Sequence, residues 1–271
     1  MLGRLIKYDM KAISRFAVPM IAASWALSFL CCAVLYFTFG FAEELNSMIN
    51  AFMITGSIYL IGVMAIGVML FLVTAVVALR YYKSVFGDEG YLNMSIPVSR
   101  RAFLNSKIIS SAIWSVLAAV TAWICVFVSL VLPILLYDTS LISKALELTK
   151  EMFGIGKNDI GLDVAALMFE IVISVLNIAK DVAVIIASIT LGSVIFKRLK
   201  LFLSLMIYFV ITFLEELFTD TFKTLIHVFT YQNPLLILVL NFVFEILIIS
   251  VVFALMYYTA LYLLEKRLNL E

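Results

Sequence analysis

Charge is scarce in this chain. Only 14% of its 271 residues are Asp, Glu, Lys or Arg and 65% are apolar, whereas a soluble domain carries about 25% charge. So little charge excludes an ordinary water-solvated domain. The formal net charge of +1 gives no bulk field for nucleic acid or a strongly acidic partner. Histidine occurs once, at His227, which leaves no basis for zinc or haem centres built on several imidazoles, and little for a Ser-His-Asp hydrolase. The three cysteines, Cys31, Cys32 and Cys125, all fall inside apolar runs. They read as small apolar fillers rather than disulfide partners or metal ligands. A Gly-x-x-x-x-Gly-Lys-Ser/Thr phosphate loop is missing, since Gly154, Gly156 and Lys157 stand at the wrong spacing, so this chain does not bind ATP by that route. The N-terminus has positive charge but no short apolar core followed by a small-residue cleavage site, and it is expected to be retained.

Long apolar runs are abundant. A hydrocarbon core about 30 Å thick needs roughly 20 helical residues to cross, and six stretches reach that length: residues 16 to 39, 52 to 79, 108 to 136, 164 to 196, 201 to 218 and 235 to 264. No ten-residue alternation of a barrel strand is present, and only helices or closed barrels satisfy their backbone in lipid. The expectation is an all-α integral membrane protein with six transmembrane helices, forming a single transmembrane domain over residues 1 to 271. Lys and Arg fix its orientation. Arg4, Lys7, Lys11 and Arg15, then Arg80, Lys83, Arg100, Arg101 and Lys107, then Lys197, Arg198 and Lys200, then Lys266 and Arg267 fall on one side, against Lys144, Lys150, Lys157 and Lys223 on the other. The first side is predicted to be cytoplasmic, with both termini inside and residues 138 to 163 and 219 to 234 outside.

Some segments are not spans. Arg4, Lys7, Lys11 and Arg15 recur at helical spacing opposite Leu2, Ile6, Met10 and Ile13, which predicts an amphipathic helix over residues 1 to 15 lying in the interface. Asp9 is a misfit near its apolar face and hints at a protein contact there. Residues 80 to 107, between the second and third spans, hold Gly87 and Gly90 around two acids, which permits tight turns. Pro97 turns Ile96 away from helix, and Ser99 is placed to cap the third span. Phe86, Tyr91, Leu92, Met94 and Ile96 are more apolar than a solvated loop requires and call for a partner surface.

An acid, a Gly, a short apolar helix, then Pro, Ser, Arg and a distant Lys resemble the cytoplasmic motif of permease subunits of ATP-binding-cassette (ABC) exporters of the type 2 class. The matching positions are Glu89, Gly90, Leu92, Pro97, Ser99, Arg100 and Lys107. The ending Leu263, Leu264, Glu265, Lys266 and Arg267 looks like that of such permeases in Firmicutes-type bacteria, and the layout of interfacial helix, two spans, loop, four spans and tail is similar over the whole chain. Tyr91 departs from the Thr that many members carry, which leaves the substrate branch open. The resemblance implies that residues 86 to 99 form a coupling helix docking on an ATPase, with Phe86, Gly87, Asp88, Glu89, Gly90, Tyr91, Leu92, Pro97, Ser99 and Arg100 as the coupling residues. The alternative is a plain reverse turn without a partner.

Buried ionisable groups in lipid are costly, and they are usually paired or functional. Glu170, Ser174, Asn177 and Asp181 form one stripe on the fourth span, with Lys180 beside it. The stripe is either the wall of a translocation route or dimer seam, or part of an internal ion pair. Glu245 of the sixth span is the expected partner of Lys180, while Glu215 and Glu216 are expected to mark the outer water boundary of the fifth span. Gly56, Gly62 and Gly67 on the second span, and Ser111, Ser115, Ala118, Ala119 and Ala122 on the third, permit close helix packing. Residues 140 to 153 and 219 to 231 show the spacing of short amphipathic outer helices.

The leading expectation is therefore the permease subunit of an ATP-driven ABC exporter in a bacterial plasma membrane, moving amphipathic peptides, toxins or lipophilic drugs outward. Its partners would be separate ATPase subunits, which hold the ATP and Mg, and a second permease in a homodimer or heterodimer. By itself the chain is not expected to be an enzyme or to carry a cofactor or metal. An ion-coupled carrier using Glu170, Asp181 and Glu245 is a second class, although no internal repeat of the kind many carriers show is evident. A non-transporting membrane scaffold or sensor is a third.

Overall fold

The computed structural model describes residues 2–42, 48–87, 89–90, 98–137, 160–195, 199–230 and 234–266. Among these there is no strand. Six helices account for almost all of them: α1 Leu2–Ala42, α2 Met48–Phe86, α3 Arg100–Tyr137, α4 Ile160–Ile195, α5 Lys200–Phe229 and α6 Pro234–Lys266. Each is long and apolar enough to cross a membrane, and their sides carry exposed Phe, Leu, Ile and Val, the expected dress of a surface solvated by lipid. The protein is a multi-pass helical membrane protein.

Two expected breaks are absent. Residues 1 to 15, read as a separate interfacial helix, belong from Leu2 onward to the unbroken 41-residue α1. Residues 219 to 231, read as a separate outer helix, belong up to Phe229 to α5, which starts at Lys200. The physical reason is the same in both. No Gly or Pro stands in α5 and α1 runs on as helix through Pro19, and an amphipathic segment shares the 3.6-residue period of the span it adjoins. A change from apolar to amphipathic composition does not end a helix. At about 1.5 Å per residue, the 30 residues of α5 extend about 45 Å, beyond a core of about 30 Å. The outer segment 140 to 153 lies outside the described residues.

The chain divides into two compact units: Met1–Lys11, Val77–Ile113 and Gly161–Glu271 form one, and Ala12–Val76 with Trp114–Ile160 form the other. The first unit has an apolar core in which Tyr81 and Val85 of α2, Leu104 and Ile108 of α3, Ile186 of α4 and Leu264 of α6 are buried together. Polar pairs are set inside it. The Tyr81 hydroxyl lies 3.1 Å from Thr190 Oγ1, and the Tyr257 hydroxyl donates to Asn105 Oδ1 at 2.8 Å.

In the second unit small side chains let helices approach. Ser28 Oγ donates to the Cys125 carbonyl at 2.8 Å, joining α1 to α3. Gly62 of α2 faces the Cys31 thiol so closely that a Cβ there would overlap the sulfur. The three cysteines are buried and unbridged. Gly56 and Gly67, by contrast, have nothing within 4 Å of where a Cβ would stand.

Candidate functional site

Two polar constructions stand out in the first unit. One surrounds the α2–α3 connection. The chain leaves α2 in a tight turn in which Gly87 N–H donates to the Lys83 carbonyl at 3.2 Å and Gly90 N–H to the Gly87 carbonyl at 2.8 Å. A Cβ on Gly87 would lie 2.7 Å from the Lys83 oxygen, and one on Gly90 would run into the Val85 carbonyl. Both positions therefore need glycine. Arg80 Nη1 meets Glu89 Oε1 at 3.0 Å, clamping the turn to the last helical turns of α2. On the far side Ser99 Oγ accepts the Ala102 N–H at 3.3 Å and its carbonyl accepts Phe103 N–H at 3.0 Å, so Ser99 caps α3 as its position predicts. Phe86 packs against the apolar core, and Arg100 opens α3. Asp88, Tyr91, Leu92 and Pro97, together with Met94 and Ile96, lie outside the described residues.

Behind this turn, Lys107 Nζ donates to Asp9 Oδ1 at 2.6 Å, with side chains only 9% and 11% exposed. The misfit Asp9 thus makes the protein contact its position hinted at. Lys107 also stands 5.2 Å from the centre of the Phe103 ring, a cation–π distance.

The second construction is a polar cavity of about 660 Å³ walled by α4, α5 and α6. Asn177 and Asp181 of α4 line it; on α5 Tyr208, Thr212, Glu215, Thr219 and Lys223 recur every three or four residues and so share a face; α6 supplies Glu245, Ile248 and Ile249. Gly192 and Ser204 set the register of its first two walls. A Cβ on Gly192 would lie 2.8 Å from the Ser204 backbone nitrogen. About three turns away along both helices, Lys180 Nζ bridges to Glu215 Oε1 at 2.5 Å and to Asp181 Oδ1 at 3.3 Å. Lys223 pairs with Glu245.

These pairings correct two expectations. Lys180 is satisfied by Glu215 and by its own neighbour Asp181, while Glu245 belongs to Lys223. Glu215 does not merely mark a water boundary, since its side chain is only 12% exposed and ion-paired. The polar stripe also divides. Asn177 and Asp181 reach the cavity, but Glu170 and Ser174 are exposed and are not part of its lining; Ser174 Oγ returns to the Glu170 carbonyl at 2.7 Å. Gly192, Ser204 and Lys223 also form this site, though no local motif in the sequence marks them. The i, i+4 recurrence of Thr212, Glu216 and Asp220 on α5 was the available signal for that wall. Among the described residues no group of three His, Cys, Asp or Glu side chains is placed to hold a metal ion.

No protein-family model, no curated protein and no solved structure matches this chain. Fold and site therefore define its class on their own: a multi-pass helical membrane protein with a charged cavity among its last three helices and a glycine-built, ion-paired turn between its second and third.

Proposed function

We propose that the chain is the membrane-spanning permease subunit of an ATP-driven ABC exporter of the type 2 class, lying in a bacterial plasma membrane with both termini cytoplasmic. It pairs with a second permease, identical or related, and with separate ATPase subunits that hold ATP and Mg. The observation that carries this reading is the construction of the α2–α3 connection. A passive link between two spans has no use for two obligatory glycines, an Arg80–Glu89 clamp, a capped α3 and a buried Asp9–Lys107 brace. A rigid turn carrying exposed charge has the character of a docking element. α2 enters this turn as a helix of 39 residues and α3 starts at Arg100 as one of 38, and in this reading a displacement of the docking element passes along them into the membrane. The positive-inside distribution of Lys and Arg supports placing the turn in the cytoplasm, where ATP is available. Cargo leaves as an amphipathic peptide, a toxin or a lipophilic drug.

One observation favours a second reading, the ion-coupled carrier: carboxylates and lysines gather in a cavity within membrane-spanning helices, as coupling ions require. The two readings part in a purification. Tagged chain drawn from its native membrane in mild detergent is expected to bring an ATPase with it in fixed ratio. Chain that arrives alone, and supports ion-gradient-driven uptake in vesicles without nucleotide, belongs to the carrier.

A further inference from the structure

The cavity walled by α4, α5 and α6 holds five carboxylates, those of Asp181, Glu215, Glu216, Asp220 and Glu245, against the ammonium groups of Lys180 and Lys223. Both lysines are already engaged, Lys180 between Glu215 and Asp181 and Lys223 with Glu245. Glu216 and Asp220 remain. Among the described residues neither has an ion-pair partner, and they stand at i and i+4 on α5, on one face of that helix. Both are exposed, and with five carboxylates against two ammonium groups the lining keeps an excess of negative charge that a cation entering the cavity meets.

The kind of cation follows from the rest of the lining. Metal ions such as calcium need several oxygens converging at about 2.3–2.6 Å, and no three acidic side chains converge in that way among the described residues. The volume of about 660 Å³ falls instead within the range of roughly 300–1,000 Å³ common for small-molecule sites. Tyr208, Phe209 and Phe213 of α5 line the same space, and aromatic faces attract organic cations as well as apolar surface.

We infer that this cavity binds an amphiphilic organic cation, its charge facing Glu216 and Asp220 and its apolar body lying against Tyr208, Phe209 and Phe213. Its use as a cargo site rests on the export reading and narrows that cargo to cationic molecules; the binding itself needs neither nucleotide nor ATPase.

The experiment uses purified full-length chain in a neutral detergent and radiolabelled tetraphenylphosphonium in equilibrium dialysis, with tetraphenylborate, of matching shape and opposite charge, measured separately. The parent is expected to bind tetraphenylphosphonium saturably and tetraphenylborate at least tenfold more weakly. The double variant Glu216→Gln/Asp220→Asn, which leaves every ion pair of the cavity intact, should keep the parent's melting temperature and lose at least tenfold in tetraphenylphosphonium affinity. Glu170→Gln, which lies outside the lining, should bind as the parent does. Absence of saturable binding by the parent, equal binding of the two ions, or parent-like affinity in a folded double variant overturns the assignment. Binding by a chain that recruits no ATPase leaves the site standing and overturns the exporter reading, whereas ATPase recruitment without cation binding overturns the site alone.

Discussion

Lys107 of α3 and Asp9 of α1 meet at 2.6 Å with both side chains about nine-tenths buried, the most enclosed ion pair in the described structure. Desolvation of two charges offsets most of their attraction, so such a pair adds little over a well-packed apolar pair of similar volume. Its effect is specificity. With Asp9 seated on Lys107, the start of α1 is tied to the start of α3, about two helical turns beyond the Ser99 cap.

Removing one partner should therefore cost far more than removing both. Lys107→Met or Asp9→Leu alone is expected to lower the free energy of unfolding by about 3–5 kcal/mol, because a buried charge is left unpaired. Asp9→Leu/Lys107→Met together should return it to near the parent value. Denaturant unfolding in mild detergent measures all four proteins, and additive losses would show that the two residues act separately.

A second cycle tests the ion pairs of the cavity. Lys180→Met and Glu215→Gln should be strongly non-additive, with a coupling energy of about 0.5–3 kcal/mol as for groups in direct contact. Lys180→Met and Glu245→Gln should add within about 0.5 kcal/mol, because Glu245 answers to Lys223. Strong coupling to Glu245 and none to Glu215 would reverse the assignment.

The contrast between these two cycles shows what the sequence disclosed. Local devices were legible: Ser99 as a cap, Gly87 and Gly90 as turn formers, and six runs long enough to span, because each depends on residues near one another in the chain. The partner of Lys180 was not. It depends on the register of α4 against α5, fixed by the close approach of Gly192 to Ser204, and no periodicity records that. Taking residues 219 to 231 as a separate helix also displaced Lys223 from the span. With α5 unbroken to Phe229, Lys223 reaches Glu245 and leaves Lys180 to Glu215. One misplaced helix end thus produced the wrong ion pair. Glu170 and Ser174 share the helical spacing of Asn177 and Asp181, yet the cavity does not extend to them.

Glycine substitutions should separate packing from propensity. Gly192→Ala places a Cβ against the Ser204 backbone and is expected to cost about 1–3 kcal/mol, as overpacking does. Gly67→Ala meets nothing within 4 Å, and the higher helix propensity of Ala makes it neutral or stabilising by up to about 1 kcal/mol. Melting temperatures of the two variants in one detergent give the order directly; equal effects would deny the α4–α5 approach.

Orientation is open to thiol labelling in a background without Cys31, Cys32 and Cys125. Ser84 makes a poor reporter because it is fully buried, whereas its neighbour Lys83 is exposed. In intact cells an impermeant maleimide should label Ser143→Cys, on the side with few basic residues, and spare Lys83→Cys until the membrane is opened. Labelling of Lys83→Cys in intact cells, or of both positions, would overturn the orientation.

The central claim is that the α2–α3 turn couples ATP hydrolysis to movement of cargo. Its most direct test is transport in proteoliposomes holding this chain and the ATPase that purifies with it, with hydrolysis measured alongside. Glu89→Lys reverses the exposed charge of the turn, while Arg80→Gln breaks the same 3.0 Å clamp and leaves Glu89 in place. The account predicts ATP-dependent transport by the parent, a lowered ratio of transport to hydrolysis in Arg80→Gln, whose turn is no longer clamped, and hydrolysis without transport in Glu89→Lys. Equal ratios of transport to hydrolysis in the parent and Glu89→Lys, or transport by the parent that needs no nucleotide, would contradict it.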